Sequence, residues 1–94
     1  MTRARLADDE IAAALASLPG WEHRGDSIAR TFAFPSFMDG IGFVNRVAAA
    51  AERADHHPDV DIRYTRVTCT LSTHDAGGIT ENDIRLAREI ERVR

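Results

Sequence analysis

Apolar residues along this 94-residue chain follow two different periods, and the changes of period mark the predicted elements. A period of about 3.6 residues is typical of an amphipathic helix, whereas strict alternation is typical of a strand with one buried face. The pattern predicts the order helix, strand, strand, helix, strand, strand, helix. Strands joined by tight turns are antiparallel, and a sheet with one polar face needs helices only on the other face. We therefore predict an α+β fold, a four-stranded antiparallel sheet with three helices on one face.

The predicted helices have recognisable ends. The first runs from the acidic residues 8–10 to Pro19-Gly20, which stops it. The second begins after Ser36, whose spacing from Asp39 resembles a capping box, and it reaches about His56. The third is capped by Thr80 with Asp83 three residues later. The apolar stripes expected to face the core are Ile11, Leu15 and Leu18 in the first helix, Phe37, Ile41, Val44, Ala48 and Ala51 in the second (flanked by Phe43 and Val47), and Ile84, Ala87 and Ile90 in the third.

The four strands form two predicted hairpins. Residues 21–24 and 27–34 flank a turn at Gly25-Asp26. Residues 59–64 and 67–72 alternate between apolar and polar side chains, and we expect one face of each strand to be buried. The residues on these two faces are Val60, Ile62 and Tyr64 in one strand and Val67, Cys69 and Leu71 in the other.

Composition narrows the class of protein. We predict that residues 1–94 form a single domain with one modest core. The chain has 12 basic and 15 acidic residues, and no basic run interleaves with aromatics, so we expect no nucleic-acid partner. The longest apolar run, residues 47–51, falls far short of the roughly 20 residues that a membrane helix needs, so we expect no membrane association. The charged start of the chain and its single cysteine favour a cytoplasmic location.

Three histidines carry the candidate chemistry. Proline disfavours the helical conformation in the residue before it, so the second helix should end near His56 and leave His57, before Pro58, extended. The two imidazoles can then line one cleft, which His74 enters from the end of a strand. Side chains of this type exchange protons near neutral pH. The pattern therefore predicts a proton-transfer site or a metal site.

Simpler interpretations exist for each of these residues. Isolated histidines at a helix end are favourable cations, and Asp83 alone is a helix-capping acid. Ser72 and Thr73 alone are surface residues of a strand. Three histidines also suit zinc, but the chain has no histidines four apart and no cysteine pair, so we predict that no metal is bound.

The spacing of several motifs resembles one known family, pterin-4a-carbinolamine dehydratase. Its signature combines Glu-x-x-Asp-His-His-Pro with an aromatic residue, a Leu-Ser-Thr-His segment and an aspartate at matching distances. The resemblance extends over nearly the whole chain, including the segments at 18–21, 32–37 and 42–48. The matching residues here are Glu52, Asp55, His56, His57, Pro58, Tyr64, Leu71, Ser72, Thr73, His74 and Asp83.

This resemblance implies a hydro-lyase that dehydrates a 4a-hydroxytetrahydropterin to the quinonoid dihydropterin, in tetrahydropterin recycling. It implies no metal or organic cofactor, a pterin as substrate, and a homodimer or homotetramer. By position, His56, His57 and His74 are the implied catalytic residues. Glu52 and Asp55 would orient the histidines, Asp83 would help to hold the pocket wall, and Ser72 and Thr73 would offer edge groups to the pterin.

The sequence departs from the family pattern at Val60, where many relatives have an aromatic residue, and at Asn82, where several have arginine. Both changes bear on substrate affinity more than on the reaction. Two other functions stay open: a binding or dimerisation module that assists a partner protein, and a homologue that binds a pterin without turnover. The presence of all three histidines favours the enzyme.

Overall fold

The computed structural model describes residues 4–94 and has the predicted order of helices and strands. The four strands are β1 (Glu22–Arg24), β2 (Ser27–Ala33), β3 (Asp59–Arg63) and β4 (Arg66–Leu71). They are antiparallel neighbours in the order β1-β2-β4-β3, so the prediction of an α+β fold with a four-stranded antiparallel sheet is confirmed. A short 3₁₀ helix follows β4 and was not predicted. The helices are α1 (Asp8–Leu15), α2 (Phe37–Ala54), the 3₁₀ helix (His74–Ala76) and α3 (Glu81–Val93).

The core lies between the helices and one face of the two central strands, β2 and β4. Phe32 of β2 packs against Phe43 of α2, with ring centroids 4.7 Å apart. Cys69 of β4 is fully buried, as the alternation predicts. Burial, and secondarily the charge of Glu91, raises the pKa of the Cys69 thiol to about 12. The thiol is therefore a neutral core group at ordinary pH.

The first helix is shorter than predicted. It ends at Leu15, and Leu18 follows in a turn in which its backbone N–H donates to the Leu15 carbonyl. Leu18 is nevertheless buried, so its place in the core was predicted correctly although its helical conformation was not. A turn returns the chain toward the sheet and buries the side chain without continuing the helix.

The predicted core stripe of α2 is wrong in most of its members. Phe37 and Ala48 are exposed, and Ile41 and Val44 are only half-buried. Both the predicted and the observed sets of residues recur at helical spacing, so the period alone does not distinguish them. Contacts of Phe43 with Phe32 and Phe34 select the face that turns inward. The buried residues of α2 are Gly40, Phe43, Val47, Ala50 and Ala51.

The expected burial on one face of β3 is also wrong. Val60 and Ile62 pair with Cys69 and Val67, so they lie on the helix side of the sheet, yet they are 39% and 41% exposed. Tyr64 lies outside the strand with φ of 53° and is 76% exposed. The reason is position: β3 is an edge strand, and nothing within residues 4–94 covers its outer side.

Candidate active site

The end of α2 separates the two adjacent histidines. Asp55 adopts a left-handed conformation, with φ of 50° and ψ of 42°, which aspartate tolerates better than most residues. The backbone N–H of His56 then donates to the carbonyl of Ala51. Pro58 prevents the helix from resuming. As a result, His56 and His57 pair with carboxylates on two different helices.

His56 is held against a buried aspartate of α3. Its Nε2 lies 2.5 Å from Oδ1 of Asp83. The His56 side chain is 13% exposed and that of Asp83 is fully buried. Burying a carboxylate is costly unless hydrogen bonds compensate it, so the other contacts of Asp83 decide whether this pair is stable.

Two threonines supply those contacts. Oδ2 of Asp83 accepts hydrogen bonds from the hydroxyl of Thr73, at 2.8 Å, and from the backbone N–H of Thr80, at 2.9 Å. The two threonine hydroxyls are 2.8 Å apart. Thr80 and Asp83 form the predicted capping box of α3. The capping pattern identified Thr80 only as the cap of α3, and no local pattern indicated that Thr80 also belongs to the environment of His56.

His57 pairs with Glu52 at the surface. Its Nε2 lies 2.5 Å from Oε2 of Glu52, and the two side chains are 57% and 77% exposed. Glu52 was expected one turn before His56, but its contact is with His57. The backbone of Asp55 forms the left-handed turn that ends α2, and the Asp55 side chain makes no hydrogen bond to any residue from 4 to 94.

His74 and its neighbours lie at the end of β4. The His74 side chain is exposed and makes no hydrogen bond within the described chain, while the preceding residue, Thr73, contacts Asp83. The hydroxyl of Ser72 donates to the carbonyl of Asp26. Both hydroxyls therefore have partners within the protein, and the predicted contacts of Ser72 and Thr73 with the edge of a pterin stay predictions. The catalytic roles of the three histidines stay predictions.

Two absences within residues 4–94 bear on the class of site. They contain no group of three or more His, Cys, Asp or Glu side chains arranged to hold a metal ion. No helix within them is long and apolar enough to cross a bilayer.

Comparison with known proteins agrees with this fold. The family model for pterin 4 alpha carbinolamine dehydratase matches residues 4–93. A protein of Thermomicrobium roseum is 56% identical over 87 residues, which cover 93% of this chain and 94% of that one. One of Nocardia farcinica is 57% identical over 91 residues, 97% of this chain and 96% of that one. Both bear the name "putative pterin-4-alpha-carbinolamine dehydratase". The chain therefore belongs to the pterin-4a-carbinolamine dehydratase family.

Solved structures are also similar to this chain, among them the following two. A transcriptional coactivator/pterin dehydratase from Brucella melitensis has a TM-score of 0.90 and 40% identity, covering 95% of this chain and 97% of that one. A pterin dehydratase-like protein described as a RuBisCO assembly factor in the alpha-carboxysome has a TM-score of 0.64 and 22% identity, covering 78% and 84%. At that identity the second structure shows a shared fold alone.

Proposed function

We propose that the protein is a hydro-lyase that dehydrates 4a-hydroxytetrahydropterin to quinonoid dihydropterin, by proton transfer through histidines and without a metal or organic cofactor. Membership of the family supports the substrate class. The observation that carries the mechanism is the end of α2, where consecutive histidines each pair with a carboxylate, one buried and one exposed.

The reaction needs two proton transfers. Hydroxide is a poor leaving group, so the oxygen on carbon 4a must gain a proton, while nitrogen 5 must lose one. A positioned acid or base contributes roughly a hundred- to ten-thousandfold to such a step. We assign these transfers to His57 and His74, whose exposed side chains a bound pterin can reach.

The test is substitution of these two histidines. We expect His57→Ala and His74→Ala each to lower the dehydration rate at least about tenfold, because each removes a proton-transfer group. His23→Ala is the matched control, because His23 is an exposed histidine whose side chain hydrogen-bonds, within residues 4–94, to the Gly25 carbonyl alone. Circular dichroism should show an intact fold in all three variants. Near-normal turnover in both site variants would contradict the mechanism.

A second candidate function is a binding or assembly module. It is favoured by the similar protein of Brucella melitensis, which is described as a transcriptional coactivator/pterin dehydratase. A chain that acts only as such a module, or a homologue that binds pterin without turnover, would show no dehydration above the uncatalysed rate. The enzyme assay therefore separates these alternatives from our proposal.

We also propose that the chain forms at least a homodimer, through the outer edge of β3. The Phe34 N–H donates to the Thr65 carbonyl, which shows that Phe34 and Thr65 are a hydrogen-bonded pair. Along an antiparallel strand the backbone groups of successive residues point to opposite sides. The odd-numbered residues of β4 therefore hydrogen-bond to β2, and the even-numbered residues hydrogen-bond to β3. It follows that Val60 and Ile62 direct their backbone groups outward. An edge strand of this kind is a template for pairing with another chain.

The strand is also complementary to itself. If two copies pair antiparallel with Ile62 opposite Ile62, Asp61 of each copy lies opposite Arg63 of the other. The exposed side chains of Val60 and Ile62 would then be covered.

Sedimentation tests this assembly. We expect a dimer or tetramer at micromolar concentration, and we expect Ile62→Lys to weaken association at least about tenfold by burying an unpaired charge. Ala12→Lys is the control, because Ala12 is exposed on α1, which packs near β1 at the opposite edge of the sheet. A stable monomer of the parent chain would refute the proposal.

A further inference from the structure

The hydrogen bonds between the side chains around Asp83 share one donor-to-acceptor direction, toward the carboxylate. The Thr73 hydroxyl donates its only proton to Oδ2 of Asp83, so in the contact between the two threonines Thr80 must be the donor. The Thr80 oxygen in turn accepts from the backbone N–H of Asn82. The result is a chain of donors, Asn82 to Thr80 to Thr73, that ends at the carboxylate.

This direction constrains the proton of His56. Oδ2 already accepts from two donors, and the remaining oxygen, Oδ1, contacts His56 Nε2 alone. Of an imidazole and a carboxylate in contact, the imidazole is the stronger base and holds the shared proton. Nε2 of His56 therefore donates to Asp83. Nδ1 of His56 makes no hydrogen bond to any residue from 4 to 94.

We propose that Thr73 and Thr80 are positioning residues: through the buried Asp83 they fix His56 in the Nε2–H form and leave its Nδ1 as the nitrogen that exchanges protons. All three members of this cluster are buried, Thr80 at 1%, Asp83 at 0% and Thr73 at 9% exposure. Water therefore competes weakly for the carboxylate, and loss of a hydroxyl cannot easily be replaced by solvent.

The consequence for the reaction rests on the proposed function. His56 would accept a proton on Nδ1 from the substrate, from water or from another histidine, become a cation stabilised by Asp83, and return the proton from the same nitrogen. A histidine in the opposite tautomer would present a donor where an acceptor is needed. The threonines would thus act on turnover more than on substrate binding.

The first arm of the test reads the tautomer directly and needs no activity. In protein labelled with ¹⁵N-histidine, long-range ¹H–¹⁵N correlation spectra of the unaltered chain should show neutral His56 protonated on Nε2. The loss of one signal set in His56→Gln identifies the residue. Asp83→Asn, whose amide can donate to Nε2, should shift the population toward Nδ1–H. Finding the parent His56 in the Nδ1–H form would overturn the proposal, whether or not the protein is a dehydratase.

The second arm separates positioning from mere stability. Thr73→Val removes the donor to Asp83 at nearly constant volume, and Thr73→Ser keeps it. We expect Thr73→Val to broaden the Nε2–H proton resonance of His56 and lower kcat about tenfold with KM little changed, the size expected when a hydrogen bond to a charged group is lost. Thr73→Ser should retain both. A Thr73→Val protein with the parent's resonance and kcat would show that the threonines do not position His56.

Discussion

Two histidine–carboxylate pairs lie side by side at the end of α2, with the same 2.5 Å separation and opposite surroundings. The pair of His56 with Asp83 is nearly withdrawn from water, and the pair of His57 with Glu52 is largely exposed to it. By distance alone, the two pairs would be expected to have the same strength. Burial makes them different, because solvent weakens an exposed ion pair and does little to a buried one.

Under the proposed function, this difference in burial gives the two histidine–carboxylate pairs different roles. Asp83 has its other oxygen satisfied by Thr73 and Thr80, so His56 has a fixed orientation. Within residues 4–94 the Glu52 carboxylate has no hydrogen bond besides the one to His57, so under the proposed function it would release His57 when a substrate arrives. The buried pair would hold His56 in a fixed orientation and tautomer, and the exposed pair would leave His57 free to move toward the substrate. Such a combination suits a site in which one histidine must stay in place while another approaches different atoms.

The largest expected effect comes from breaking the buried pair. Asp83→Ala leaves His56 without its partner and removes the cap of α3, so we expect the free energy of unfolding to fall by about 3 to 5 kcal/mol. Glu52→Ala, the matched control at the exposed pair, should cost less than about 1 kcal/mol and lose even that at 1 M salt. Urea unfolding at low and high salt measures both. Equal costs for the two variants would refute the distinction between the pairs.

Cys69 extends the comparison to a third titratable group. Like Asp83 it is buried, but within residues 4–94 it has no hydrogen-bond donor to compensate a charge. Its pKa is raised from 9.0 to about 12 by burial and by Glu91, so the folded state holds the thiol proton more tightly than the unfolded state does. Stability should therefore be unaffected below about pH 9.0 and fall as the pH rises toward about 12, by roughly 1.4 kcal/mol per pH unit.

The check is urea unfolding at pH 8 and pH 11 for the parent and for Cys69→Ala, which loses some packing but has no thiol to titrate. Other groups titrate in both proteins and cancel in the difference. We expect the parent to lose more stability than the variant between these two pH values. An equal loss in both would show that the thiol is not the group responsible.

Part of the fold and of the site could be predicted from sequence because the signals are local. Thr80 and Asp83 lie three residues apart, so their capping box is visible in the sequence, and Pro58 marks the end of α2 in the same way. The alternation in β4 correctly placed Cys69 in the core. Each of these predictions depends on residues that lie close together in the sequence.

The wrong predictions arise where contacts between distant parts of the chain determine which residues are buried and which side chains pair. Two apolar series on α2 satisfy the same period, and only the packing of Phe43 against the sheet selects one of them. Ile62 alternates as a buried residue does, but its exposure depends on its strand lying at the edge. The contact of His56 with Asp83 joins residues 27 apart, and no local pattern shows that one carboxylate serves both a helix cap and a histidine.

The most direct test of the central claim is the dehydration rate of freshly generated 4a-hydroxytetrahydropterin, with and without the protein. The intermediate also dehydrates unaided, so only acceleration above that uncatalysed rate counts. We expect acceleration that is proportional to protein concentration, saturates with pterin and is unchanged by a metal chelator. A folded protein that leaves the uncatalysed rate unaltered would contradict the proposed activity, and activity lost to the chelator and restored by zinc would contradict the metal-free mechanism.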